Sequence, residues 1–340
     1  MLSPARTFAN LRASLNRVFA VGRTHALIAI LLALCALTRA DAPPYPTHPI
    51  RLIAPFPAGG PVDVMARLIA DKLSQSLGTT IVDNRPGAGG TIGSRLAAAA
   101  EPDGYTLLLG SSTSLTAAPS LYANLGYDPV KNFTPVAMIA SVPFALAVSP
   151  KLPVTNVAAL VAHAKAHPGK LNYGAPTGAL PHLTAEMFKT AAAIDIVHVP
   201  YKGAATTITD LLGGRTDLTF EPTSVLLAHI RDGKLRALAV TGPTRSPELP
   251  NIPTMIESGF PGFTSVSWSG IVAPAGTPPD IVAKLNDAVN AALAAPDTHA
   301  RLARLGAAPM TGTPQDFAAL IAAETPKWAA VVKAAHVRLE

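Results

Sequence analysis

The chain reads as an α/β protein built from two successive blocks and a helical tail. Three observations predict this. Short apolar or β-branched runs alternate with longer segments whose apolar residues repeat at the helical period. Gly- and Pro-rich loops separate most of these segments and absorb most of the 33 prolines and 25 glycines. Strands alternating with helices in this way imply βαβ units and a mainly parallel sheet.

In the first block, residues 50–54 (IRLIA) read as a strand. Residues 62–77 read as a helix, with Val62, Met65, Ala66, Ile69 and Leu73 on one stripe. Residues 80–82 are a second strand, 91–100 a second helix and 105–109 a third strand. In the second block, helical patterns at 156–166, 183–192, 204–212 and 226–231 alternate with strands at 171–173, 196–199, 218–220 and 235–240. A Pro/Gly-rich stretch at 243–263 precedes a further strand at 266–273, and alanine-rich helices at 281–295, 299–305 and 314–335 finish the chain. This tail has no sheet of its own and is expected to pack on the first block. The chain then crosses between blocks twice, near 142–148 and 264–273. Two crossings make a hinge, and a hinge between lobes is a usual place for a ligand cleft. The expected lobes are 41–143 plus 267–340, and 144–266.

Residues 1–40 have a different character. Arg6, Arg12, Arg17 and Arg23 precede an apolar run of 12 residues (ALIAILLALCAL, 26–37), and Thr38-Arg39-Ala40 supplies small residues for a cut after Ala40. Basic, apolar, small is the order of a secretory signal peptide. A permanent anchor needs about 20 apolar residues. Cys35 follows Leu34, which is too large for lipoprotein processing. Removing these residues takes away five Arg and lowers the net charge from +6 to +1. No Lys/Arg cluster with interleaved aromatics remains, so nucleic acid is not an expected partner. The only Cys also leaves. Disulfides, Cys-ligated metals and Cys nucleophiles are therefore excluded from the exported chain.

The candidate chemistry lies in the loops that leave strands. Phe56-Pro57-Ala58-Gly59-Gly60-Pro61-Val62-Asp63 joins the first strand to the first helix. Pro61 suits the first helical position, and such a helix start offers N–H donors to an anion. The same residues also suit an ordinary tight turn. Asp63 either complements the helix dipole or holds a water or an amine of a ligand. Residues 86–93 (PGAGGTIG) approach a dinucleotide fingerprint, but Ile92 stands where its third glycine belongs, so a Gly-rich cap is the expected reading. Ser111, Ser112 and Thr113 follow the third strand, where they either face a ligand or cap the next helix. In the second block, Thr177, Gly178 and His182 follow a strand. His182 and Glu186 do not suffice for a metal site, and a structural or hydrogen-bonding histidine is favoured. Tyr201 and Lys202 follow the next strand, where Tyr201 could wall a cleft and Lys202 attract an anion. Glu221 closes a third, where it could face the cleft or water. No G-x-S-x-G elbow, metal triad or phosphate loop occurs, so no catalytic residue, metal or cofactor is expected. Donor-rich loops without reactive groups suit capture and release.

Taken together, YPTHPIRLIAPFPAGGPVDVMARLIADKL (45–73), VDNRPGAGGTIG (82–93), DGYTLLLGSSTSLTAAPSLY (103–122), HPGKLNYG (167–174), HLTAEMF (182–188), HVPYKGAATTITDLLGGRTDLTF (198–220), LRALAVTGPTRSPELPNIPTMIESGFPGF (235–263) and SWSGIVAPAGTP (267–278) resemble the substrate-binding proteins of tripartite tricarboxylate transporters, the Bug family. The resemblance implies a type II periplasmic binding protein fold: two α/β lobes that close on a small carboxylate, such as a di- or tricarboxylate, an acidic amino acid or an aromatic acid. It implies a periplasmic monomer serving a membrane permease. It also implies a ligand site made of Phe56, Ala58, Gly59, Gly60, Asp63, Ser111, Ser112 and Thr113 from one lobe, and Thr177, Gly178, His182, Tyr201 and Glu221 from the other. Two departures stand out. Residues 175–181 read APTGALP where the family has a Ser/Gly-rich loop, and Glu221 replaces the usual Asp, which should reshape the distal pocket. An orphan sensor with the same closure, and a secreted hydrolase using Ser112 and His182, are the alternatives.

Overall fold

The computed structural model describes residues 45–339; the expected export signal and its cleavage point lie outside them. The first βαβ units follow the expected order. β1 (Ile50–Ala54) leads into α1 (Pro61–Ser76), β2 (Thr80–Asn84) into α2 (Thr91–Ala98), and β3 (Thr106–Ser111) into a π-helical turn (Thr113–Ala117) and the short α3 (Ala118–Leu121). β1 pairs in parallel with both β2 and β3. Pro61 opens α1, where its missing N–H costs nothing.

β4 (Phe133–Val148) then runs for 16 residues. The sequence reading places no strand there, only a crossing between blocks near 142–148. The earlier part contains Pro135, and the pairing register shifts at 135–137 and again at 138–140. Proline and irregular pairing blur the period of a strand. After β4 the second block supplies α4 (Val157–Ala166), β5 (Asn172–Pro176), α5 (Leu180–Ala192), β6 (Val197–Tyr201), α6 (Ala204–Gly213), β7 (Leu218–Pro222), α7 (Thr223–Arg231) and β8 (Arg236–Val240). β9 (Val266–Pro274) returns, and α8 (Pro279–Ala294), α9 (Pro296–Arg304), β10 (Ala308–Pro309) and α10 (Pro314–Ala334) complete the chain.

The strands lie in the order β2-β1-β3-β9-β4-β7-β5-β6, with β10 and β8 also pairing with β4. The sheet is not mainly parallel at its centre. β9 is antiparallel to both β3 and β4, and β7 and β8 are antiparallel to β4. β4 belongs to both halves of the sheet: residues up to Pro143 pair with β9, and residues from Phe144 pair with β7 and β8.

The side chains of Phe144–Val148 show why this segment holds its register. Phe144, Leu146 and Val148 join a cluster with Tyr173, Phe188 and Phe220 on one face. Ala145 and Ala147 join Ile208, Leu211, Leu226 and Val240 on the other. Both faces are buried, and a one-residue slip would exchange them. Full burial of a Phe or Leu side chain stabilises by about 1.5–3 kcal/mol.

The tail departs from expectation. Phe317 and Ile321, early in α10, pack with Ile53, Leu108, Trp268 and Val272 of the first block. Trp328 and Val332, later in the same helix, pack with Phe144, Leu183 and Phe220 of the second. A helix of 21 residues is about 30 Å long, enough to lie along both halves. Short β10 also pairs with β4 at Ala140 and Ser141, so the tail does contribute to the sheet.

Candidate functional site

The register brings the strand-end loops together. In the first half, β1 and β3 end at Ala54 and Ser111, and Ser111 lies opposite Ser269 of β9, which in turn pairs with Ala140 of β4. In the second half, β7 ends at Pro222 opposite Phe144, β8 at Val240 opposite Ala145, and β5 and β6 end side by side at Pro176 and Tyr201. Both sets of ends therefore face the point where β4 passes from one half to the other. Loops at the C-terminal ends of strands are where α/β sheets present ligand contacts.

The loop after β1 is shaped from within. Gly59 takes φ +83°, a left-handed conformation that glycine adopts without steric cost. Asp63 is 2% exposed. Its Oδ2 accepts from Gly59 N at 2.8 Å and from Arg67 Nε at 2.9 Å. Its Oδ1 accepts from Asn84 Nδ2 at 2.9 Å. The Arg67 hydrogen bond, helped by the Gly59 and Asn84 donors, holds its carboxyl down at about 2 against the opposing effect of burial. These bonds tie the loop to α1 and to the end of β2. Ala58 and Gly59 are exposed on the loop's tip, Phe56 and Gly60 are partly covered, and the first-turn N–H groups of α1 have no intrahelical acceptor. Asn84, which the sequence reading passes over, also donates to Phe56 O at 3.2 Å. A polar residue ending β2 beside the end of β1 was the available signal.

The loop after β3 is more enclosed. Gly110 and Ser111 still belong to the strand. Ser111 N donates to Ser114 Oγ at 3.0 Å and Ser114 N to Ser111 Oγ at 3.2 Å, a reciprocal cap. Ser112 is fully buried, and its Oγ accepts from Trp268 N at 3.3 Å. Thr113 is partly exposed.

In the second half, His182 is 4% exposed, and its Nδ1 accepts from Gly178 N at 3.1 Å. Its ring stacks on His198 at 3.9 Å, and His198 stacks on Tyr173 at 5.1 Å. Burial, followed by the His198 and Lys189 charges, pushes His182 down to about 4. The ring ladder and the Gly178 bond fix the 175–181 loop from below, with Thr177 exposed on it. Ser112 and His182 each accept from a backbone N–H group and share no hydrogen bond with each other. Tyr201 donates to Asp210 Oδ2 at 2.7 Å; burial and that hydrogen bond raise the phenol to about 12. Lys202 is exposed.

Glu221 is 1% exposed, and its Oε1 has no hydrogen-bond partner within the protein. Burial alone pushes its carboxyl up to about 8. Among the described residues, no group of three or more His, Cys, Asp or Glu could hold a metal ion, and no helix is long and apolar enough to cross a membrane. A groove of about 600 Å³ lies beside the β4 passage, lined by Ser141, Pro143 and Val266 together with residues 242–248, His299, Ala300, Ala303 and residues 306–309.

Residues 65–337 match a family model described as the tripartite tricarboxylate transporter family receptor. BugT of Bordetella pertussis is 40% identical over 324 residues, spanning 94% of this chain and 99% of BugT. Among solved structures, an R. palustris protein with adipate is 40% identical with a TM-score of 0.75. The periplasmic binding protein BugD is 38% identical with a TM-score of 0.72. Each of these two alignments covers 87% of this chain and 100% of the other.

Proposed function

The chain belongs to the tripartite tricarboxylate transporter receptor family, and on that premise we propose that it captures a small organic carboxylate outside the cytoplasm and delivers it to a membrane permease. Its fold is the α/β fold of periplasmic solute-binding proteins. The observation that carries the reading is the convergence of donor-rich loops from both sheet halves on the β4 passage. A ligand held there touches both halves, so binding favours their approach.

In this reading the lobes are 41–143 plus 267–340, and 144–266. The N-terminal start of α1, with the exposed Ala58–Gly59 tip, receives one carboxylate through backbone N–H groups. Asp63 holds that loop in shape. Ser111, Ser112 and Thr113 frame the same side. Thr177, Gly178, Tyr201 and Glu221 frame the opposite side, with His182 beneath them. The adipate complex of a 40% identical relative supports a carboxylate ligand. The first 40 residues act as a cleaved export signal, and the receptor works as a monomer without a cofactor and without catalysing a reaction.

Thermal unfolding of the exported chain with a panel of organic acids tests this. A ligand at 100 times its Kd adds about 2.7 kcal/mol of stability. The carboxylate reading fails if no acid raises the midpoint while a neutral or cationic solute does.

A further inference from the structure

The carboxyl of Glu221, whose Oε1 is buried without a partner, is placed by strand geometry. Leu218 and Phe220 of β7 sit in the same cluster as Phe144, Leu146 and Val148. Side chains alternate along a strand, so Glu221 points to the opposite face. It lies opposite Ala145, whose cluster contains Ile208, Leu211, Leu226 and Val240 from α6, α7 and β8. β5 pairs in parallel with β7 at Tyr173 and Leu218. Continuing that register sets Glu221 level with Pro176, which pairs with Tyr201. The acid therefore ends a row of otherwise uncharged residues at the edge where the second-half loops gather.

No cation faces it. β4 carries no ionisable residue. On β5, Tyr173 bonds Glu186 of α5. His182 of α5 takes the Gly178 N–H, and Lys189 lies in that helix's last turn. On β6, His198 bonds Ala175 O and Tyr201 bonds Asp210 of α6, which is also paired with Arg215. α7 has His229 and Arg231 only in its last turn, with Arg231 paired to Glu248. Arg236 of β8 bonds the carbonyls of Leu152 and Val154. A carboxylate buried without a partner is costly, and protonation is the cheaper state. The upward displacement to about 8 agrees with this placement.

Resting on the carboxylate reading above, we propose that Glu221 stands as a neutral acid and donates its O–H to an anionic oxygen of the ligand, so that capture of a carboxylate is linked to proton uptake. Where Glu221 is ionised, one proton enters from solvent with the anion and forms the O–H bond of neutral Glu221; no other bond forms or breaks. A ligand ammonium at the same place would do the reverse, pairing with ionised Glu221 and releasing the proton.

The probes are adipate and succinate, titrated calorimetrically into the exported chain from pH 6 to 9 in buffers of different ionisation heat. Expected are little proton exchange at pH 6, uptake approaching one proton per ligand at pH 9, and an affinity that falls towards tenfold per pH unit above about 8. In Glu221→Gln, whose amide still donates but does not titrate, both the uptake and the fall disappear. If that variant does not fold, the wild-type titrations decide alone. Binding with no proton exchange and a flat affinity overturns this inference and leaves the carboxylate reading intact. Proton release on binding also overturns it. If neither acid binds while another class of solute does, both readings fall.

Discussion

Glu324 on the last helix accepts a hydrogen bond from the indole N–H of Trp268, on β9, at 3.1 Å. The same oxygen accepts from Trp328 at 3.1 Å, and Lys327, paired with Glu324, reaches Thr264 O at 3.1 Å. One carboxylate thus ties the tail to the segment by which the chain returns from the second block. Both indoles are almost wholly buried. Glu324→Ala is expected to destabilise by about 2–4 kcal/mol, because two buried donors lose their acceptor. Glu324→Gln should recover much of this through its amide oxygen. Urea unfolding measures both; equal losses in the two variants would mean that packing, not acceptance, matters here.

Asp63 gives a pH prediction at the acid end. Its folded value of about 2 lies below the ordinary 3.8. Its stabilisation is therefore present above about pH 4 and lost as pH falls towards 2. Asp63→Asn removes that part of the acid sensitivity and should cost about 1–3 kcal/mol at neutral pH. An acid unfolding midpoint that does not change in the variant would contradict the assignment.

Glu221 gives the opposite sign. Its folded value, about 8, lies above the ordinary 4.5. Its favourable contribution is complete below about pH 4.5 and declines as pH rises to 8. Thermal midpoints of Glu221→Gln should therefore fall less than those of the wild type across this window. Parallel curves for the two proteins would show that the buried acid does not titrate.

The two glycines at the start of α1 should separate binding from folding. Gly60 has φ −78°, and a Cβ there would meet only Pro57 O at 3.4 Å. Gly60→Val is expected to fold and to weaken ligand affinity about tenfold or more by blocking close backbone approach. Gly59 at φ +83° has open space but the wrong conformation for a side chain. Gly59→Val should lose about 1–2 kcal/mol of stability. Unchanged affinity in Gly60→Val would move the anion site elsewhere.

Gly306 packs closely against the start of α7. A Cβ on it would lie 2.4 Å from Ser224 Cβ and 2.9 Å from Ser224 Cα, at the start of α7. Gly306 also has φ +66°, so Gly306→Val should lose more than the about 1–2 kcal/mol that the backbone alone costs, and Gly306→Ala, with the same backbone strain but a smaller side chain, should lose less; urea unfolding compares them. Equal losses in the two variants would show that the Ser224 contact yields freely.

Most of the fold was legible because its elements are locally encoded. Apolar runs between Gly/Pro loops gave β1, β2, β3 and β5–β9, and Pro61 marked the start of α1 in advance. The 133–141 part of β4 was hidden by Pro135 and two register shifts, which break the period that reveals a strand. The path of α10 was hidden because an alanine-rich helix with apolar residues along its length does not say which block each turn meets.

The sequence by itself determined the alternating α/β order and the loops that carry polar groups. These depend on residue type and spacing within a few positions. Tertiary structure decided what the polar side chains of those loops do. It spent Asp63 and His182 on shaping their own loops, and it left Glu221 buried opposite Ala145 with its Oε1 unpartnered. Those outcomes depend on pairings between residues as distant as Ala145 and Glu221, where the local chain carries no information about which charge, if any, will stand across the sheet.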